Sequence, residues 1–137
     1  MGVVRCPSSA QLNPALSPGR GIVRWFAITP DQTAVVYLAN QDTDDAIELY
    51  RVAFANPGVS TKLNPPLPAG RVVLHLVLTP DGTAVIYMAD QDTDNVFDLY
   101  RVAVANPGVS TKLNGPLVTT GAISSFCVNA QCVLSNS

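Results

Sequence analysis

One stretch of 36 residues occurs twice in this chain, fifty residues apart. Residues 29–64 read TPDQTAVVYLANQDTDDAIELYRVAFANPGVSTKLN, and residues 79–114 read TPDGTAVIYMADQDTDNVFDLYRVAVANPGVSTKLN. The two copies differ at nine of the 36 positions, so 27 are identical. A period of this length with short β-rich segments is typical of propeller blades or β-solenoids, whereas helical repeats need a 3.6-residue periodicity.

One repeat predicts four antiparallel strands. The first, RVVLHLVL, is dense in branched apolar residues, as a strand buried on both faces should be, and the turn TPDG follows it. A polar loop at residues 90–95 and an Asn-Pro-Gly turn separate the later strands. The predicted strands are residues 71–78, 83–89, 97–104 and 109–113. Four such strands followed by a longer crossing make one propeller blade.

The two ends of the chain align with complementary parts of the repeat. Leu12 and Asn13 align with Leu63 and Asn64, and residues 122–128 align with residues 72–78. The chain therefore divides into a C-terminal half of a split blade, two whole blades and an N-terminal half of a split blade, at residues 1–20, 21–70, 71–120 and 121–137.

These residues resemble a known family of repeats. The strings T-P-D-G-x-x-V-I-Y, A-D-x-D-T-D and D-L-Y-R-V are similar to the repeat of TolB-like propellers of the PD40 type, over about 100 of the 137 residues. The resemblance implies the all-β propeller fold and no particular function, because such propellers serve as periplasmic adaptors and as peptidase gates. The chain departs from the family in holding about half of a propeller.

Three blades are too few to close a ring, because known propellers use about four to eight. An open arc would expose unpaired strand edges and apolar flanks. Joining the half-blades of two chains at both seams gives six blades with twofold symmetry. We therefore expect a homodimer with a six-bladed ring, and a larger ring or a five-bladed rearrangement are the alternatives.

Composition limits the partners of the chain. Hydrophobic residues make up 47% of it and charged residues 13%, the net charge is −2 and the pI is near 5.0. This balance argues against nucleic-acid binding unless a metal mediates it, and against an anionic membrane surface. The sequence predicts no signal peptide and no membrane-spanning segment, and it leaves the localisation open.

Eight of the ten acidic residues lie in two equivalent loops. The spacing D-x-D-x-D-N-x-x-D resembles calcium-binding loops, in which oxygen ligands alternate along a tight turn. The alternative is a solvated hairpin whose Asp and Asn side chains cap the local backbone. The predicted divalent-cation ligands are Asp90, Asp92, Asp94 and Asp98 in one loop and Asn40, Asp42, Asp44 and Glu48 in the other.

His75, the only histidine, lies in the innermost predicted strand, and Trp25 is its counterpart in the other repeat. It is either a packing residue or a metal ligand or general base in the central channel. Arg71 and Arg24 are either solvated flanks or an anion site. Cys127 and Cys132 are predicted to face each other across a short hairpin, either as a disulfide or as two thiols.

Two functions follow from these patterns. The first is a self-assembling structural or binding module with divalent-cation sites in the acidic loops. The second is a metal-dependent hydrolase of the phosphodiesterase or ribonuclease type, in which the carboxylates and His75 hold a cation that activates water, calcium in a binding site or a transition metal in a catalytic one. Nucleophile motifs such as G-x-S-x-G are absent from the sequence, so any catalysis would be metal-assisted.

Overall fold

The computed structural model describes residues 10–115, 125–128 and 131–134, and in these ranges the protein is all-β without helix. Consecutive strands pair antiparallel into two four-stranded sheets and a two-stranded hairpin. The first sheet consists of β1 (Ile22–Ile28), β2 (Ala34–Thr43), β3 (Ala46–Ala53) and β4 (Ser60–Lys62). The second consists of β5 (Val73–Leu78), β6 (Ala84–Thr93), β7 (Val96–Ala103) and β8 (Ser110–Lys112), and the hairpin of β9 (Ser125–Val128) and β10 (Gln131–Leu134). No helix in these ranges has the length and hydrophobicity needed to cross a membrane.

Most of the predicted loop at residues 90–95 is strand. β6 continues to Thr93, and only Asp94 and Asn95 turn before β7 begins. The strand pairing is interrupted between Ala89 and Thr93, which is where the acidic residues lie. The loop prediction was wrong because it counted the acidic residues as turn formers, whereas cationic and backbone groups of the second sheet bind them.

The two sheets pack face to face, and the main core lies between them. The first sheet contributes Val36, Leu38 and Leu49, and the second contributes Leu76 and Tyr87, all at most 2% exposed. β2 is buried over six consecutive residues, Ala34 to Ala39, as a strand covered on both faces should be, whereas β7 alternates between buried and more exposed residues from Asp98 onward.

The same turn closes the first hairpin of both sheets. Asp31 Oδ1 accepts hydrogen bonds from the Thr33 backbone N–H at 3.0 Å and from the Thr29 and Thr33 hydroxyls at 2.7 Å each. Asp81 accepts the equivalent three bonds, and they lower its pKa to about 2. The turn therefore depends on a side chain that caps the backbone two residues further on.

Equivalent hydrogen bonds join each sheet to the chain that precedes it. The Gly108 N–H donates to the Leu63 carbonyl oxygen at 2.8 Å, and the Gly58 N–H donates to the Leu12 carbonyl oxygen at 2.7 Å. Leu12 thus accepts from the first sheet the same hydrogen bond that Leu63 accepts from the second. The bonds support the sequence alignment of Leu12 with Leu63, at an offset one residue longer than the repeat.

The hairpin β9–β10 lies beside β5, as β5 lies beside β1. Its pairing register sets Cys127 opposite Cys132. This confirms the predicted register across the hairpin, and the choice between a disulfide and two thiols stays a prediction.

Candidate functional site

The acidic hairpins are the first candidate site, and a lysine lies at the centre of each. Lys112, in β8, places its Nζ 3.0 Å from Asp92 Oδ2 and 2.9 Å from Asp98 Oδ2. Lys62, in β4, places its Nζ 3.0 Å from Asp42 Oδ2 and 2.8 Å from Glu48 Oε1. We call each group of one ammonium and two carboxylates a lysine clamp. Its ammonium neutralises carboxylates whose proximity would otherwise be unfavourable.

The geometry of the clamps is set by the strands. Lys112 pairs with Tyr100 across β7 and β8, and its ammonium lies 5.9 Å from the centre of the Tyr100 ring. Asp98 is two residues before Tyr100 on the same strand, so its side chain lies on the same face. The first sheet repeats this arrangement with Lys62 and Tyr50, again at 5.9 Å.

Amide and ammonium groups surround the inner carboxylates, Asp98 and Glu48. Burial on its own would raise the pKa of Asp98, but the hydrogen bond from Asn114 Nδ2 at 2.8 Å and the Lys112 ammonium lower it below its usual value. The same contacts with Asp98 and Asp92 raise the pKa of Lys112. Glu48, 1% exposed, receives hydrogen bonds from Asn64 Nδ2 at 3.2 Å and the Leu67 backbone N–H at 3.0 Å.

The remaining predicted ligands have different partners. Asp90 Oδ1 accepts from the Val72 N–H at 2.7 Å, and its Oδ2 accepts from the Asn95 N–H at 3.1 Å. Asn40 Oδ1 accepts the equivalent bond from Gly21, also at 2.7 Å. These two side chains cap the backbone that leads into the sheet, as the alternative interpretation of the acidic loops proposed for such residues.

The outermost carboxylates pair with arginines. Asp44 Oδ1 lies 2.7 Å from Arg20 Nε, and Asp94 Oδ1 lies 3.7 Å from Arg71 Nε. Arg71 also donates to the Asp90 carbonyl oxygen at 3.1 Å, so its guanidinium is held against its own hairpin. The eight predicted ligands therefore divide among clamps, backbone caps and arginine pairs. Within the described residues, no three His, Cys, Asp or Glu side chains are grouped so that they could hold a metal ion.

A divalent cation in these hairpins stays a prediction. The inner carboxylates offer the oxygen ligands that calcium prefers. The described geometry makes Lys112 or Lys62 the competitor, because each ammonium already lies between two of the predicted ligands.

His75 is the second candidate, and its closest described aromatic neighbour is its own repeat counterpart. The rings of His75 and Trp25 meet edge to face, with centroids 5.4 Å apart and an interplanar angle of 83°. His75 Nδ1 is buried without a hydrogen-bond partner among the described residues. Burial lowers the pKa of the imidazole, which favours the neutral ring. The geometry suits a packing role, and the predicted role as metal ligand or general base stays a prediction.

The third candidate is an apolar groove on the face of the first sheet that points away from the second. It has a volume of about 460 Å³. Phe26 at 67% exposure and Ile28 at 55% form its inner part on β1, while Phe54 and Leu12 lie at its outer part. We call this surface the β1 groove.

The repeat shows what usually covers such a surface. The second-sheet counterparts of Phe26 and Ile28 are Leu76 and Leu78, which are 1% and 4% exposed because the first sheet packs on them. On the opposite flank, the residue of the first sheet is the covered one. Leu63 is 1% exposed, and its counterpart in the second sheet, Leu113, is 48% exposed. The chain thus presents both sides of one sheet-to-sheet contact, one side on each flank.

Neither protein-family models nor curated proteins give a match to this chain. The resemblance to TolB-like repeats therefore stays a prediction that rests on the quoted strings.

Sequence reasoning missed the lysines of the clamps and the β1 groove. Lys62 and Lys112 occupy identical positions in both copies of STKLN, so their recurrence was the available signal. Phe26 and Ile28 lie fifty residues before Leu76 and Leu78, in the counterpart of a strand predicted to be buried, and nothing in the sequence distinguishes them from these covered counterparts.

Proposed function

We propose that this protein is a self-assembling β-propeller module with a structural or binding role, in which copies of the chain join through the two open flanks. The observation that carries the proposal is the contrast between equivalent positions: Leu76 and Leu63 are covered at the contact of the two sheets, and Phe26 and Leu113 are open. Burying exposed apolar surface stabilises an assembly by roughly 25 cal/mol for each Å² removed from water.

Self-complementarity supports a second copy as the partner. The flank of the first sheet that covers Leu76 is repeated in sequence by the flank of the second sheet that carries Leu113. In the ring that we propose, the joined half-blades of two copies lie between the open flanks and cover Phe26 on one side and Leu113 on the other, as the two sheets cover each other. Two such joined blades, related by a twofold axis, and the two whole blades of each copy make up the six blades of the expected ring, which is the arrangement we propose.

Mass in solution tests this proposal. We expect multi-angle light scattering to give the mass of a dimer for the wild-type chain and a smaller mass for Phe26→Asp, because a carboxylate in the groove would be desolvated on assembly. Val59→Asp is the matched control, since Val59 is 60% exposed and its counterpart Val109 is equally so at 61%. A folded wild-type monomer at every concentration would contradict the proposal.

The proposal also includes divalent-cation sites formed by the carboxylates of the acidic hairpins, as the spacing of these residues predicts. Thermal melts with EDTA and with added calcium test it, because a ligand at a hundred times its dissociation constant adds about 2.7 kcal/mol of stability. A higher melting temperature with calcium than with EDTA would support a site. Equal melting temperatures would leave the lysine ammonium as the counter-charge of these carboxylates.

A further inference from the structure

We propose that the inner part of the β1 groove is the binding site for β9 and β10 of a second copy, with the register positions of Cys127 and Cys132 in one chain beside Phe26 and Ile28 of the other. The inference rests on the proposed self-assembly and names the segment that makes the contact.

The hairpin has the same pairing register as the first two strands of each sheet. Cys127 pairs with Cys132 in the hairpin, Val77 pairs with Ile86 in the second sheet, and Ala27 pairs with Val36 in the first. The residues Ala27, Val77 and Cys127 are also spaced at the period of the repeat. Cys127 and Cys132 therefore occupy the register positions of Ala27 and Val36.

The contact between the two sheets shows which residues such a pair of strands covers. Ala27 and Val36 belong to the apolar cluster that also contains Leu76 and Leu78 of the second sheet. Leu76 and Leu78 are the counterparts of Phe26 and Ile28. A hairpin in the same relation to the β1 groove would bring the register positions that correspond to Ala27 and Val36, which are those of Cys127 and Cys132, next to Phe26 and Ile28.

The hairpin of the same chain has another place. β9 and β10 lie beside β5 of their own chain. Leu12, from the same chain, already covers the outer part of the groove. Among the residues that the structure describes, no two-stranded element takes the position on the inner part that β1 and β2 occupy for the second sheet, and the hairpin of a second copy would supply one.

Thiol crosslinking of the full-length chain tests whether the hairpin of a second copy binds in the β1 groove. The variant Ile28→Cys is prepared in a Cys6→Ser background, reduced and treated with a short bismaleimide, and the products are mapped by mass spectrometry. Mixing ¹⁵N-labelled with unlabelled chains identifies links between copies. Val109→Cys in the same background is the matched control, because Val109 is exposed to a similar degree but lies next to the outermost strand of its sheet.

We expect most of the Ile28→Cys chain to shift to a dimer band through links from residue 28 to Cys127 or Cys132, with mixed isotope labels. The Val109→Cys control should give no link to either cysteine. The shift should be lost when Cys127 and Cys132 are both replaced by Ser, and Phe26→Cys should reproduce it if Ile28→Cys folds poorly.

Light scattering on the same samples separates the two levels of the proposal. A dimeric mass without links from residue 28 to the hairpin would contradict binding of the hairpin in the β1 groove but would agree with self-assembly. Links confined to one isotope label would mean that the hairpin of the same chain occupies the groove, and would also contradict binding of a second copy's hairpin there. A monomeric mass would contradict the self-assembly itself.

Discussion

Trp25 and His75 lie fifty residues apart in sequence, and their rings meet edge to face with centroids 5.4 Å apart. They are counterparts in the two repeats, so the contact joins the same position of β1 and β5. Side-by-side packing of equivalent strands from two sheets produces contacts of this kind. The pair also places the only histidine where its protonation affects folding.

We expect His75→Trp to remove a pH-dependent part of the stability. Burial depresses the pKa of His75 in the folded state below its ordinary value of 6.5, so its contribution is fully present above pH 6.5 and is lost as the pH falls through the folded pKa. Urea unfolding at pH 8 and pH 5 measures the loss, which we expect in the wild type and not in the variant.

The control for this prediction is the variant itself at pH 8, where both proteins carry an uncharged side chain at position 75. Equal losses of unfolding free energy in wild type and variant between the two pH values would mean that His75 does not titrate against folding.

Lys62→Met should destabilise the protein by about 3 kcal/mol, because it leaves buried Glu48 without its cation. Lys112→Met should cost less, because Lys112 is the more exposed of the two, at 37% against 23%. Chemical unfolding at pH 7 measures both changes. The double variant Lys62→Met with Glu48→Gln should recover part of the loss, and an unchanged loss would show that Lys62 acts through packing alone.

Gln32→Gly should stabilise the first hairpin by about 1 kcal/mol, because Gln32 has a φ of 60°, in the left-handed region that L-residues adopt at a cost. Its counterpart Gly82 has a φ of 72°. The reverse change, Gly82→Gln, should destabilise the protein, since a Cβ at position 82 would lie 3.1 Å from Pro30 Cδ. Thermal melts compare the two variants, and a destabilising Gln32→Gly would contradict the argument.

Leu63→Ala and Leu113→Ala compare the same substitution in the same STKLN context. Leu63 is buried between the sheets, so its truncation should cost about 2–5 kcal/mol at every protein concentration. Leu113 is open in a single chain, so its truncation should cost little in dilute samples and more in concentrated ones, where assembly covers it. Melting temperatures at two protein concentrations make the comparison. A Leu113→Ala loss that does not vary with concentration would contradict coverage by a second copy.

The strands and hairpin turns of both sheets could be predicted from the repeat, because hydrophobic patterning and the TPD and NPG turns are local signals. The length of β6 could not, since it depends on the cationic and backbone groups that bind the acidic residues near Ala89 and Thr93. Long-range partners of this kind leave no local pattern.

For the candidate sites too, the sequence indicated the residues with local signals and did not indicate their long-range partners. The acidic residues and His75 were found from their types and spacing, but the partners that define their chemistry were not. Lys112 reaches Asp98 from a different strand, and Trp25 reaches His75 from a different sheet. Which flank of a repeat stays open depends on the neighbouring sheets, so the exposure of Phe26 could not be read from the repeat alone.

The hydrogen bonds from Gly108 to Leu63 and from Gly58 to Leu12 have a consequence for how such a chain can change over generations. Each repeat carries both the donor that joins it to the preceding unit and the acceptor offered to the next. Tandem duplication of fifty codons would therefore add a unit whose junctions are already correct, without compensating substitutions elsewhere. The number of repeats is a property that recombination can vary separately from the chemistry within each one.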